Sequence, residues 1–291
     1  MSSKLPPLNA LRAFEAAVRL ESFVKAADEL FVTPAAVAQQ IKVLEAWAGA
    51  KFFERKAQGV ILTPIGESIR PDLIDAFDHL GRAAQRLRSI SAPNQIQIAA
   101  LPSIAQFWLS PLLPGIRNAL PGTAISVSAQ DKAPNMKRNG FDLCIYFEEE
   151  PQSEFSTILE QDVIFPICAP SLLKTIRDKQ TQQTVTLFHD SLWDADWREW
   201  LGNSKEMHRT DLQGPEFSLY SLAVEEVKNG AGALIGHQCL VGDLLSSGAV
   251  VMPFKRKVKL PRWLTIKVSD SVSEHSTIKK IVSYLEKQSA K

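Results

Sequence analysis

The stretch from Ser22 to Lys42 holds residue types that suit reading a DNA base edge. Gln39 can pair bidentately with adenine, small Ala35 allows contact with a thymine methyl, and Lys42 suits a phosphate. At about 100° per residue, Ala35, Gln39, Lys42 and Ala46 fall on one helical face, with Ala38 beside them. Val37, Ile41, Leu44 and Ala48 fall on the other face and are expected to pack inward. Thr33, Pro34 and Ala36 complete the start of that helix, whose free N–H groups offer a phosphate oxygen a site at Thr33. Arg55 and Lys56, near the tip of an expected hairpin, can reach the neighbouring backbone or minor groove.

Other chemistry finds little support. His189-Asp190 with Trp193, Trp197 and Trp200 could suggest a catalytic or stacking site, but Trp at this spacing reads as a packed helix face. His237 and Cys239 have no third ligand at a recognisable spacing. Cys144, Cys168 and Cys239 fit neither a zinc spacing nor a redox pair, and read as buried thiols. With no nucleophile–base pair and no phosphate loop, the expectation is no enzyme, no metal and no cofactor.

The reading residues need a frame. Leu11, Phe14, Ala17 and Val18 predict a first helix over about 9–20. Ser22 and Thr33 are hydroxyl starts for two further helices, about 23–30 and 34–48, with Pro34 at the first helical position. Two short helices joined by a tight turn are a way into the major groove. Apolar runs around a polar tip predict a hairpin over 51–62. Thr63-Pro64 then opens a long helix to about Ile90. From Leu73, its apolar positions Phe77, Leu80, Ala84 and Leu87 form a heptad-like seam suited to pairing with another helix. Pro71 removes a donor inside it and predicts a kink.

Past 91–94, read as a linker, strands and helices alternate: strands at 95–101, 124–129, 143–147 and 163–169, helices from Ser103 and from Pro170-Ser171. That order implies a parallel or mixed sheet with helices on both faces. Strand ends and helix starts hold ligands in such sheets. Ser103, Gln130 and Tyr146 end or follow strands. Ser218-Leu219-Tyr220-Ser221 precedes a second helix, 222–228, and could face Ser103. Two hydroxyl-bearing helix starts suit a small carboxylate or amino acid, and the bland alternative makes both serines plain caps.

The 291 residues carry 45% hydrophobic and 22% charged residues and a net charge of +1, typical of a folded globular chain with two or more domains. So small a charge excludes coating nucleic acid by charge alone. Residues 1–91 hold 12 Lys and Arg against 10 Asp and Glu, so one copy would bind DNA weakly and a second copy matters. With no apolar leader and no run long enough to span a membrane, a cytosolic location is expected.

Residues 6–64 resemble the winged helix of LysR-type transcriptional regulators. The match runs through Leu11-Arg12-Ala13-Phe14, Ser22-Phe23, Ala26 to Leu30, Val32 to Val37, Gln40-Ile41-Lys42, Leu44-Glu45, Phe53-Glu54-Arg55, Leu62-Thr63 and Gly66. Ala38 departs from it: the family usually has Ser there, so one DNA contact is missing. The likeness continues through Leu101-Pro102-Ser103, Trp108-Leu109, Asp142-Leu143, Phe165-Pro166, Leu187 to Asp190, Trp197, Tyr220 to Ala223 and Gly230 to Leu234. It is nearest to the subgroup that includes the glycine-cleavage regulator.

The resemblance implies an α/β protein with three parts: a winged helix-turn-helix at 1–63, a linker helix at 64–91 and an effector-binding domain at 92–291. The last is expected to resemble a periplasmic binding protein, with lobe I at about 92–165 and 267–291 and lobe II at about 166–266. Its effector residues are expected among Ser103, Ile104, Gln130, Tyr146, Ser218 and Tyr220. The implied partners are double-stranded operator DNA, a small-molecule effector, further copies of the chain up to a tetramer, and RNA polymerase. The family often has an Arg and a Gly just after the strand at 143–147. The acidic run Glu148-Glu149-Glu150 replaces both, so no relative's ligand carries over, and that run reads as a solvated loop. The rival reading is a solute-binding or enzymatic α/β domain with a helical accessory module that binds no DNA.

Overall fold

The computed structural model describes residues 5–56, 59–91, 94–151, 156–202, 206–207 and 211–289; Ala57 and Gln58 of the expected hairpin tip lie outside them. The chain divides into two compact units, Met1–Arg88 and Ser89–Lys291.

In the first unit, α1 (Leu8–Leu20), α2 (Phe23–Leu30) and α3 (Pro34–Ala48) surround the fully buried Phe14. The Phe14 ring meets Phe52 and Phe53 edge-on, with centroids 5.1 and 5.5 Å away. Burying one such ring contributes about 1.5–3 kcal/mol. Both expected caps form: Ser22 Oγ accepts from Lys25 N at 3.3 Å, and Thr33 Oγ1 from Ala36 N at 3.2 Å. Gly49 at φ 68° closes α3 in the left-handed region where a side chain would be strained.

Ala48, expected inside, is exposed. Val37, Ile41 and Leu44 are buried as expected, but Glu45 takes the next inward place at 7% exposure. Glu45 Oε1 accepts from Phe52 N at 3.0 Å and Phe53 N at 3.4 Å, and Oε2 meets Lys51 Nζ at 2.6 Å. One carboxylate thus fixes the hairpin of β1 (Phe53–Lys56) and β2 (Gly59–Leu62) to α3. Burial alone would raise the Glu45 pKa, yet the Lys51 ammonium and the two backbone N–H groups hold it below its ordinary value.

Helix α4 (Pro64–Ser91) starts on Thr63, whose Oγ1 accepts from Gly66 N at 3.2 Å and donates to Lys51 O at 2.7 Å. A Cβ on Gly66 would lie 2.5 Å from Phe52 O, so only glycine lets this turn sit so close to the hairpin. The helix continues without interruption through Pro71. Ile69 and Leu73 pack on the first unit's core, whereas Leu80, Leu87 and Ile90 are 54%, 67% and 75% exposed.

The second unit holds β3 (Gln95–Ala100), α5 (Ser110–Ala119), β4 (Ala124–Ala129), α6 (Met136–Asn139), β5 (Leu143–Glu148), β6 (Ser156–Cys168) and α7 (Leu173–Arg177). They are followed by β7 (His189–Asp190), α8 (Asp196–Leu201), β8 (Glu216–Phe217), α9 (Tyr220–Lys228), β9 (Ala233–His237), α10 (Gln238–Ser246), β10 (Val258–Val268) and α11 (Ser276–Ser289). The six-stranded sheet runs β4-β3-β5-β10-β6-β9. It is mixed: β3 pairs parallel with β4 and β5, and the remaining pairs are antiparallel. Glu148, expected in a solvated loop, ends β5 and pairs with Lys267 of β10.

Two long strands carry the chain across this unit. Strand β6 lies between β10 and β9, pairing with β10 from Ser156 to Ile164 and with β9 from Ile164 to Cys168. Where its register against β10 shifts, between Gln161 and Val163, sits Asp162, buried to 1% exposure. Its Oδ1 and Oδ2 lie 3.0 and 3.1 Å from His237 Nδ1, and Oδ2 accepts from Arg262 Nε at 2.7 Å. Arg262 also reaches Asp196 Oδ1 at 3.3 Å. His237 Nε2 lies 3.1 Å from Asp196 Oδ2 but off the hydrogen-bonding line, so that contact is ionic. Burial would lower the His237 pKa, but Asp162, then Asp196, raise it from 6.5 to about 9. The same pairing with His237 and Arg262 outweighs burial at Asp162 and lowers its pKa.

Glu45→Ala leaves two backbone N–H groups without their acceptor and should destabilise the first unit by ~1–3 kcal/mol in urea melts. Because the folded pKa of Glu45 is lowered, its contribution is present above the ordinary 4.5 and fades as pH falls through the folded value. His237 has the opposite sign. Its contribution is complete below pH 6.5 and is lost as pH rises through about 9. Five of the six tryptophans lie in the second unit, so tryptophan-monitored melts from pH 6.5 to 9.5 should show a falling midpoint. In His237→Asn that slope should flatten.

Candidate functional site

In the first unit, α3 presents a small polar face. Thr33, Pro34, Ala35, Gln39 and Lys42 are exposed, while Ala36 and Ala38 are half-buried beside them. The Thr33 Oγ1 accepts its cap bond and keeps its proton to donate, so a phosphate at this end would meet that hydroxyl and the remaining backbone N–H groups. The arrangement gives one amide for base edges, one cation for phosphate and small residues between them. Arg55 and Lys56 lie in β1, opposite Val60 and Gly59, and their side chains are outside the described set. Trp47, 54% exposed one turn beyond Lys42 and Val43, drew no attention in the sequence because it falls just off the polar stripe.

In the second unit, the ends of the parallel strands converge. Ser103 and Asp131 follow β3 and β4, and Asp190 and Ser218 stand at the ends of β7 and β8. Together with Trp193 and Tyr220 they line one cavity of about 10 Å³. That volume is room for about one water. The helix after β3 begins at Pro102, one residue earlier than expected, and runs π-helical over Ile104–Leu109 before α5. Ser103 is therefore inside the helix, not its cap. Its hydroxyl is buried and meets no protein partner. Helix α9 starts at Tyr220, so Ser221 also lies inside; Leu219 precedes it and supplies no side-chain cap.

The expected effector residues thus divide. Ser103, Ser218 and Tyr220 share the cavity. The Tyr220 hydroxyl donates to Ile235 O at 3.1 Å, so the ring forms the wall and the oxygen is committed elsewhere. Ile104 is fully buried in the hydrophobic core. Tyr146 donates to Gln130 O at 3.1 Å and Lys132 O at 3.3 Å, so these residues brace the segment before the cavity and do not line it. Burial pushes the Tyr146 phenol above its ordinary range.

Sequence reasoning missed Asp131 and Trp193 as cavity residues. Asp131 was within reach of the strand-end rule, one residue past Gln130. Trp193 was grouped with Trp197 and Trp200, which are buried at 1% and 0% exposure as expected. Trp193 instead packs against His237 in a tilted contact, centroids 4.0 Å apart, and meets Tyr220 edge-on at 5.4 Å. His189 Nε2 is taken by Leu212 O at 2.7 Å, so no catalytic pair forms with Asp190. Among the described residues no cluster could hold a metal ion, and no helix is long and apolar enough to cross a membrane.

The comparisons agree on both units. Residues 8–67 match the bacterial regulatory helix-turn-helix protein, lysR family, and residues 91–275 match the LysR substrate binding domain. The glycine cleavage system transcriptional activator of Escherichia coli (strain K12) is 33% identical over 258 residues, spanning 87% of this chain and 84% of that protein. The HTH-type transcriptional activator AmpR of Rhodobacter capsulatus is 31% identical over 265 residues, spanning 91% of each. The AmpR effector binding domain from Citrobacter freundii shares the fold of the second unit. It has a TM-score of 0.57 at 18% identity and covers 68% of this chain and 98% of that one. The chain belongs to the LysR family of transcriptional regulators, with a helix-turn-helix unit followed by an effector-binding domain.

Proposed function

We propose that this chain is a one-component regulator in which α3 reads operator DNA, α4 pairs two copies, and an amino acid or small carboxylate in the cleft resets the pair. The observation that carries the reading is the exposed Ala35–Gln39–Lys42 face on a helix capped and braced on its other side. A single such face supplies few phosphate contacts, which supports a requirement for two. The open seam at Leu80, Leu87 and Ile90 supports α4 as the pairing element, and assembly of two such pairs gives the proposed tetramer. RNA polymerase is the further partner through which such a complex would act on transcription.

The effector enters between walls that nearly touch. A cavity of about 10 Å³ admits no amino acid until the walls part, so ligand and closed arrangement exclude each other as they stand. Binding therefore carries the differential affinity that a switch requires. Catalysis is not part of this reading, because the cavity residues form no nucleophile–base pair.

With a duplex selected from a random pool, Gln39→Ala should flatten the preference at one base pair by ~1–3 kcal/mol. Lys42→Ala should instead weaken selected and scrambled duplexes alike and lower the salt slope by about 1. Anisotropy titrations across a salt series separate the two, and unchanged binding in both variants would remove α3 from the groove. Leu80→Glu with Leu87→Glu should turn a dimer or larger species into a monomer in sedimentation at micromolar concentration, with operator affinity lost alongside.

A further inference from the structure

The cleft has a charge imbalance that narrows what can enter it. Asp131 and Asp190 both line it, and none of its lining residues is Lys, Arg or His. His237 and Arg262, the cations that contact the lining residue Trp193, already face Asp162 and Asp196, two positive groups against two negative ones. Asp190 feels the His237 charge, but also those of Asp196 and Asp131. It is 4% exposed, and its Oδ1 accepts from Leu192 N at 2.9 Å. A small inorganic anion or dicarboxylate entering here would meet two carboxylates with no cation to offset them.

A second feature points to a ligand independently. Ser103 is 5% exposed, and its Oγ has no hydrogen-bond partner. A buried hydroxyl without a partner forfeits a hydrogen bond that an incoming polar group can restore. On the facing wall, Ser218-Leu219-Tyr220 leads into the nine-residue α9, whose N-terminus has no side-chain cap. Its first N–H groups suit one carboxylate. The cleft therefore offers an acidic pair, an orphan hydroxyl and an uncapped helix start, with aromatic rings of Trp193 and Tyr220 between them.

We propose that the cleft ligand is a free amino acid, its ammonium held by Asp190 and Asp131 beside the Ser103 hydroxyl and its carboxylate at the start of α9. This rests on the effector reading above and selects the amine-bearing class from it. An aromatic wall adds to the attraction for an ammonium group once the site is shielded from water.

The test uses the full chain and calorimetric titration with the twenty common amino acids. Each is set against its N-acetyl derivative, with glycolate, lactate and succinate as amine-free carboxylates. At least one amino acid should bind, and its N-acetyl derivative and the amine-free acids should bind at least tenfold more weakly. Asp131→Asn, at an exposed position, should weaken the amino acid at least threefold, and Asp190→Asn at least tenfold. Ser103→Ala should weaken it severalfold, and operator binding by each variant reports intact folding. If an amine-free acid binds as tightly as any amino acid, or if neither Asp variant changes affinity, the amine assignment fails while the effector reading stands. If no compound of either class binds, both fail.

Discussion

The second unit depends on a buried cluster of four charges at the place where the register of β6 against β10 shifts. Asp162 stands at that irregularity, on the strand between β9 and β10, and it holds His237 of β9 and Arg262 of β10 at once. Asp196 at the start of α8 completes the set. Removing any one member would leave an uncompensated charge in a dry site, which is far more disruptive than a lost surface pair. The central strand is thereby tied to both of its neighbours at the register shift. Trp193 extends the same cluster to the cavity, tilted against His237 and meeting Arg262 across its ring at 5.5 Å. A change at Trp193 therefore reaches the charge cluster directly.

The first unit solves a different positioning problem with one carboxylate and one hydroxyl. Glu45 projects from the inward face of α3 and collects the backbone of Phe52 and Phe53. Thr63 binds Lys51 O on the same hairpin base and caps α4. Helix α3, the hairpin and α4 therefore meet at one joint, the hairpin base from Lys51 to Phe53. Gly66 is the steric condition for it. This explains why α3 can spend its outer face on Ala and Gln, which contribute nothing to packing.

Most of the first unit was legible in the sequence because its signals are local. Ser22, Thr33, Pro34 and Thr63 mark helix starts within one turn of the backbone they serve, and the observed ends of α2 and α3 fall where those residues put them. The errors came where a local rule met a distant partner. Ala48 fits the apolar stripe, yet Glu45 took the inward place because its acceptors matched N–H groups seven and eight positions away. In the second unit the decisive contacts join residues 75 and 100 apart, His237 and Arg262 to Asp162. No periodicity reports such pairs. Ser103 was expected to open its helix, but it lies inside it, with a buried hydroxyl that caps nothing.

The cavity itself holds an electrostatic cost. Asp131 and Asp190 face a cavity lined by no cation, and Asp190 is nearly sealed from water. Burial raises the Asp190 pKa, the signature of a carboxylate whose ionised form costs free energy where it sits. His237 offsets part of that cost, which links the cavity to the charge cluster beneath it. A cationic group brought beside Asp190 would relieve the rest. Ser103 stands on the same cavity with a buried hydroxyl that meets no partner. The cost at Asp190 and the missing bond at Ser103 thus fall on one small surface, where a single hydrogen-bonding cation answers both.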